Sequence, residues 1–106
     1  MTPRVKISPR DLSILLGLLE QFLPVDDVWA YGSRVKGASR PNTDLDLVVF
    51  TDPKKSRQVA DLREALSESA LPFMVDLHVW DELPLAFQAN IGSAYSIFRQ
   101  AKTAKV

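Results

Sequence analysis

Apolar residues recur through positions 9–23 at a spacing that fits a helix and not a strand. Ser8 as N-cap, Pro9 at the first helical position and Asp11 in the first turn mark its start. Pro24 marks its stop, so the pattern predicts a helix reaching about Leu23. Ser13, Gly17, Glu20 and Gln21 fall on one narrow arc, and Leu12, Ile14, Leu15, Leu16, Leu18, Leu19, Phe22 and Leu23 cover the rest. An apolar face this broad exceeds the stripe that a surface helix needs against one core. It predicts either burial on two sides or a patch that docks a partner or a second copy.

The rest of the chain alternates between the two periodicities. Residues 26–31, DDVWAY, read as a short strand delivering the chain to Gly32-Ser33. A brief helix from Ser33 to about Lys36 follows, closed by Gly37 as a left-handed cap. Arg40, Pro41 and Asn42 mark a loop. Leu45 to Phe50 is apolar at nearly every position after Asp46, which predicts a strand buried on both faces, ended by Asp52-Pro53. A second helix over about Lys55–Ser69 places Val59, Leu62, Leu66 and Ala70 on one stripe. Lys54, Lys55 and Arg57 crowd its start, where the helix dipole disfavours cations, and are read as a solvated face. After Pro72, residues Phe73 to Trp80 predict a third strand, residues from about Glu82 to Ile91 a third helix before Gly92, and Tyr95 to Arg99 a final strand. Strands alternating with helices predict the α+β class with mixed α/β character.

At 106 residues, the chain predicts one domain over 1–106, large enough to bury a core. Thirteen basic residues balance thirteen acidic ones, so net charge gives no reason to expect direct nucleic-acid binding. The absence of cysteine excludes disulfides and thiolate metal sites, and a lone histidine argues against a zinc centre. No apolar run approaches a membrane span, and the N-terminus, MTPRVKISPR, lacks the apolar core of a signal peptide, so a cytoplasmic protein is expected.

The candidate chemistry lies in residues 31–49, YGSRVKGASRPNTDLDLVV. Asp44 and Asp46, two apart on an extended segment, share one face. Like charges held this close persist mainly where a cation or a shared proton offsets their repulsion. A hard cation such as Mg²⁺ takes one or two carboxylates together with phosphate oxygens and water. Gly32 permits close backbone approach, and a helix opening just after it offers free N–H groups to an anion. A phosphate cradle followed by paired carboxylates suits metal-assisted phosphoryl or nucleotidyl transfer. Asp76 sits among apolar residues of the third predicted strand and shares a face with His78 and Trp80. Two placements stay open for it: a third member of the carboxylate cluster, or an edge-strand acid facing water. His78 is read as a packed or surface residue. Among Arg34, Lys36 and Arg40, Lys36 is the one assigned to triphosphate charge.

The run GSRVKGASRPNTDLDL, followed by an Asp on a later strand, resembles the nucleotidyltransferase signature of the DNA polymerase β superfamily. With little beyond that core, the chain is similar to the minimal nucleotidyltransferases over roughly residues 10–100. Thr43 stands where Ser is usual and Lys36 where Arg is usual; neither touches the carboxylates. The resemblance implies the nucleotidyltransferase fold, a mixed sheet of about four strands flanked by helices, and the use of Mg²⁺ with ATP. It implies that Gly32 and Ser33 bind the triphosphate, that Asp44 and Asp46 hold metal, and that Asp76 is a further ligand or the base for the attacking group. It further implies a small helical HEPN partner, to a tyrosine of which AMP is transferred in a toxin–antitoxin pair. Two other functions remain: a non-catalytic module that neutralises a partner by contact, and modification of a small molecule, for which such chains usually carry a second domain.

Overall fold

The computed structural model describes residues 7–32 and 44–100. In chain order they form α1 (Pro9–Phe22), β1 (Asp27–Tyr31), β2 (Leu45–Phe50), α2 (Ser56–Ser67), β3 (Val75–Val79), α3 (Leu85–Ser93) and β4 (Tyr95–Arg99). The strands make one mixed sheet in the order β3-β2-β1-β4. β1 runs antiparallel to both β2 and β4, while β2 and β3 are parallel. Parallel neighbours need a crossover, and α2 supplies it. The expected mixed four-stranded sheet with flanking helices is therefore observed.

Alternation along the strands divides the apolar residues between two layers. Leu15, Leu19 and Leu23 of the α1 segment and Val59, Leu62 and Leu66 of α2 pack on Val28, Ala30, Leu45, Leu47, Val49, Leu77 and Val79. On the opposite face Tyr31, Val48 and Ile91 of α3 are buried, with Trp29, Phe50, Trp80 and Leu83 against them. β2 thus feeds both layers, as its nearly unbroken apolar run requires.

Local chemistry sets the boundaries. The Ser8 hydroxyl accepts the Asp11 N–H at 3.1 Å, starting α1 at the expected place. Only one flank of α1 is fully buried; Leu12, Ile14, Leu16 and Leu18 form half-buried shoulders, so burial on two sides is not what the described residues show. A 3-10 turn over Pro53–Lys55, capped by Asp52, precedes α2, which ends at Ser67 and leaves Ala70 exposed. Lys55 is not simply solvated: its Nζ lies 3.4 Å from Asp26, a nearly buried carboxylate that needs a partner. A second 3-10 turn over Trp80–Glu82 ends β3, and Pro84 delays α3 to Leu85 because the residue before a proline is pushed into extended backbone. Gly92 lies inside α3 and does not end it. No described helix is long and apolar enough to cross a membrane.

Candidate active site

The register of the sheet lines up one row of polar side chains across its α3-bearing face. Asp76 on β3 pairs with Asp46 on β2, Asp46 with Tyr31 on β1, and Tyr31 with Tyr95 on β4. Residues directly opposite in neighbouring strands project to the same side, so Asp46 and Asp76 are immediate neighbours. Asp44 stands just before β2 rather than within it, exposed at the rim. It keeps the two-residue spacing from Asp46 and so shares its side of the sheet. Both readings of Asp76 hold geometrically: it is exposed on an edge strand, and it is also beside Asp46.

Gly32 closes the row at the end of β1. Its φ of +84° lies where an L side chain is strained, and an added Cβ would overlap the Asp46 carboxylate. Glycine is thus required twice over, by the turn and by the approach of its backbone to a carboxyl oxygen. Ser33 and Lys36, expected to bind triphosphate, lie outside the described residues, as do Arg34, Arg40 and the stretch expected to form a short helix ending at Gly37.

The electrostatics follow from crowding. Asp46 is pushed above the ordinary aspartate range first by burial, then by the charges of Asp76 and Asp44, with His78 pulling the other way. The Tyr31 hydroxyl is pushed up to about 12 by burial and by the same two carboxylates, Asp46 and Asp76. An acidic pair that hinders its own ionisation is a place where a cation gains affinity. Among the described residues no three His, Cys, Asp or Glu side chains already close around one point. The cluster is open, and its donors are all oxygens. That suits a hard ion which shares its coordination with substrate phosphates, and it does not suit a self-contained protein cage. The carboxylates present therefore fit a hard divalent cation such as Mg²⁺.

Aromatic rings fill the rest of this face. Trp29 stacks on Tyr95 at 3.9 Å and meets Phe50 and Trp80 edge-on. Phe87 of α3 meets Tyr31 at 5.9 Å and His78 at 6.4 Å, both near edge-on. Met74 stands 68% exposed next to Asp44, its carbonyl accepting the Leu45 N–H at 2.8 Å. A groove of about 520 Å³ opens at the edge of the sheet on its α2 side, between Asp44, Arg63, Ser67, Phe73 and Met74. Sequence reasoning did not single out Tyr31 or Phe87. Alternation from Asp46 across an antiparallel pair could have found Tyr31, but nothing in the sequence places Phe87 over the sheet.

Comparison with known proteins identifies the family. Residues 15–103 match the family described as polymerase beta, nucleotidyltransferase. The chain is 36% identical over 98 residues to a probable protein adenylyltransferase, MntA, of Haemophilus influenzae, covering 92% of this chain and 86% of that protein. Two solved structures share the fold. One is a toxin–antitoxin crystal structure with AMP-PNP, with a TM-score of 0.65 and 20% identity over 86% of this chain and 74% of that one. The other is the toxin–antitoxin MntA–HepT, with a TM-score of 0.54 and 15% identity over 89% of this chain and 74% of that one. With a carboxylate row beside a left-handed glycine, a family match over most of its length and a relative above one-third identity, the chain belongs to the polymerase β nucleotidyltransferase family, among its minimal members, and is a nucleotidyltransferase.

Proposed function

We propose that this enzyme transfers AMP from ATP, with Mg²⁺, to a tyrosine of a small helical HEPN-type partner, and that it serves in the cytoplasm as the antitoxin of a toxin–antitoxin pair. The observation that carries the chemistry is the Asp46–Asp76 pairing beside Gly32. The protein acceptor is supported by the adenylyltransferase relative, and the pairing with a toxin by the fold shared with toxin–antitoxin complexes.

In this reading Gly32 brings backbone close to the triphosphate, with Ser33 and Lys36 binding its phosphates. Asp44 and Asp46 would hold a bound Mg²⁺, with Asp76 as a shared ligand or the base, and the ion would supply positive charge for the phosphate oxygens and the leaving pyrophosphate. Asp76 accepts the proton of the acceptor hydroxyl. The acceptor oxygen then bonds to the α-phosphorus as the bond from that phosphorus to the bridging oxygen breaks. Pyrophosphate departs, and the proton on Asp76 passes to solvent.

Incubation with α-labelled ATP and the co-purified partner tests the proposal. Wild type should label the partner, and Asp44→Ala combined with Asp46→Ala should not. Equal labelling by the two proteins would remove the enzymatic role, and full silencing of the partner by the double variant would make contact alone sufficient.

A further inference from the structure

Phe87 is an α3 side chain whose ring meets two residues of the site's face, and unlike the buried Ile91 it stays partly open. Its ring lies against Tyr31 of β1 and His78 of β3, which flank β2 on either side of Asp46 and Val48. It therefore stands over the sheet just inward of the carboxylate row, while 36% of its surface remains open. Gly32 lies at the other border of that row, where β1 ends.

In-line displacement at phosphorus places the attacking and leaving oxygens on opposite sides. If pyrophosphate leaves on the Gly32 side, the attacking hydroxyl enters from the inward side, past Asp76, His78 and Phe87. We infer that Phe87, together with His78, forms the wall against which an aromatic, hydroxyl-bearing acceptor ring lies. This rests on the nucleotidyl-transfer reading and adds to it the residue that selects an aromatic acceptor over an aliphatic alcohol. A ring reaching this point gains an edge-to-face or offset contact that a serine side chain cannot make. Such a contact is worth about threefold to tenfold in affinity.

The experiment uses the full chain with ¹³C-labelled phenylalanine and histidine, a non-hydrolysable ATP analogue and Mg²⁺, followed by titration with N-acetyl-tyrosine amide or N-acetyl-serine amide. The tyrosine amide should shift the Phe87 and His78 resonances, and the serine amide should leave them in place. Phe87→Ala and the bulk-preserving Phe87→Leu should both weaken the tyrosine amide about threefold to tenfold, while analogue affinity stays within about twofold of wild type. Retained analogue binding also shows that each variant is folded. Phe87 resonances that move with the analogue alone would assign the ring to the nucleobase and overturn the inference. So would an analogue that binds normally while the tyrosine amide leaves Phe87 unmoved. An analogue that fails to bind wild type would instead overturn the nucleotidyl-transfer reading beneath it.

Discussion

Asp46 is the most constrained side chain of the site, pressed by Gly32 from the turn and by Asp76 from the next strand. Gly32→Ala would place a Cβ into its carboxylate and hold Ala at a positive φ, a strain of about 1–2 kcal/mol before the overlap is counted. The expected result is a lower melting temperature together with roughly hundredfold slower transfer, since a catalytic group moved by about 1 Å costs that much. Asp46→Asn separates binding from stability. A carboxyl whose pKa is raised on folding holds its proton more tightly in the folded chain than in the unfolded one. Stability therefore falls as pH rises from the ordinary value of 3.8 through the higher folded value, and it stays reduced above that window. Removing the charge should raise the melting temperature of the metal-free protein at pH 7 by about 2–4 °C, allowing for screening at a half-open site. The gain should vanish below the ordinary aspartate range, and Mg²⁺ should no longer stabilise the variant. A thermal-shift series against pH, with and without Mg²⁺, reads both effects.

Among the elements, β3 is held less by the sheet than its role suggests, because it lies at an edge. Arg63 of α2 compensates, donating from Nε at 3.0 Å and from Nη2 at 2.8 Å to the Leu77 carbonyl. Arg63→Ala should cost about 1 kcal/mol and speed hydrogen exchange in β3, lowering turnover through a less fixed Asp76 while nucleotide affinity is kept. Elements of this kind were legible in the sequence wherever periodicity and a stop signal coincided. Ser8 and Pro24 bracket α1, the nearly unbroken apolar run gives β2, and the period-two pattern gives the strand containing Asp76. Proline misplaced the start of α3, because Pro84 is tolerated only at its cap, and the ion pair of Lys55 with Asp26 joins residues from elements that no local pattern connects. Arg63 and Phe87 belong to the same class: each acts across the sheet, and only tertiary packing reveals it.

For the whole molecule, the sequence carried the pairing of layers but not their extent. The broad apolar arc of α1 turned out to be one buried flank with half-buried shoulders, and a shallow depression runs along its outer side past Leu12, Leu16 and Gly17. At the far end of the molecule Arg99, whose charge is disfavoured by burial, donates from Nη2 to the carbonyls of Leu23 and Asp26. β4 is thereby bound to the end of α1, and the two halves of the chain close on one another. The two central acids, thirty residues apart in sequence, become neighbours only through the parallel pairing of β2 with β3. Long-range parallel β pairing is slow compared with helix formation. During refolding, helical circular dichroism should therefore recover before affinity for Mg²⁺ and a fluorescent ATP analogue, which should return only with the last kinetic phase. A nascent chain would then acquire its chemistry in a single late step, and no partly folded species would consume nucleotide.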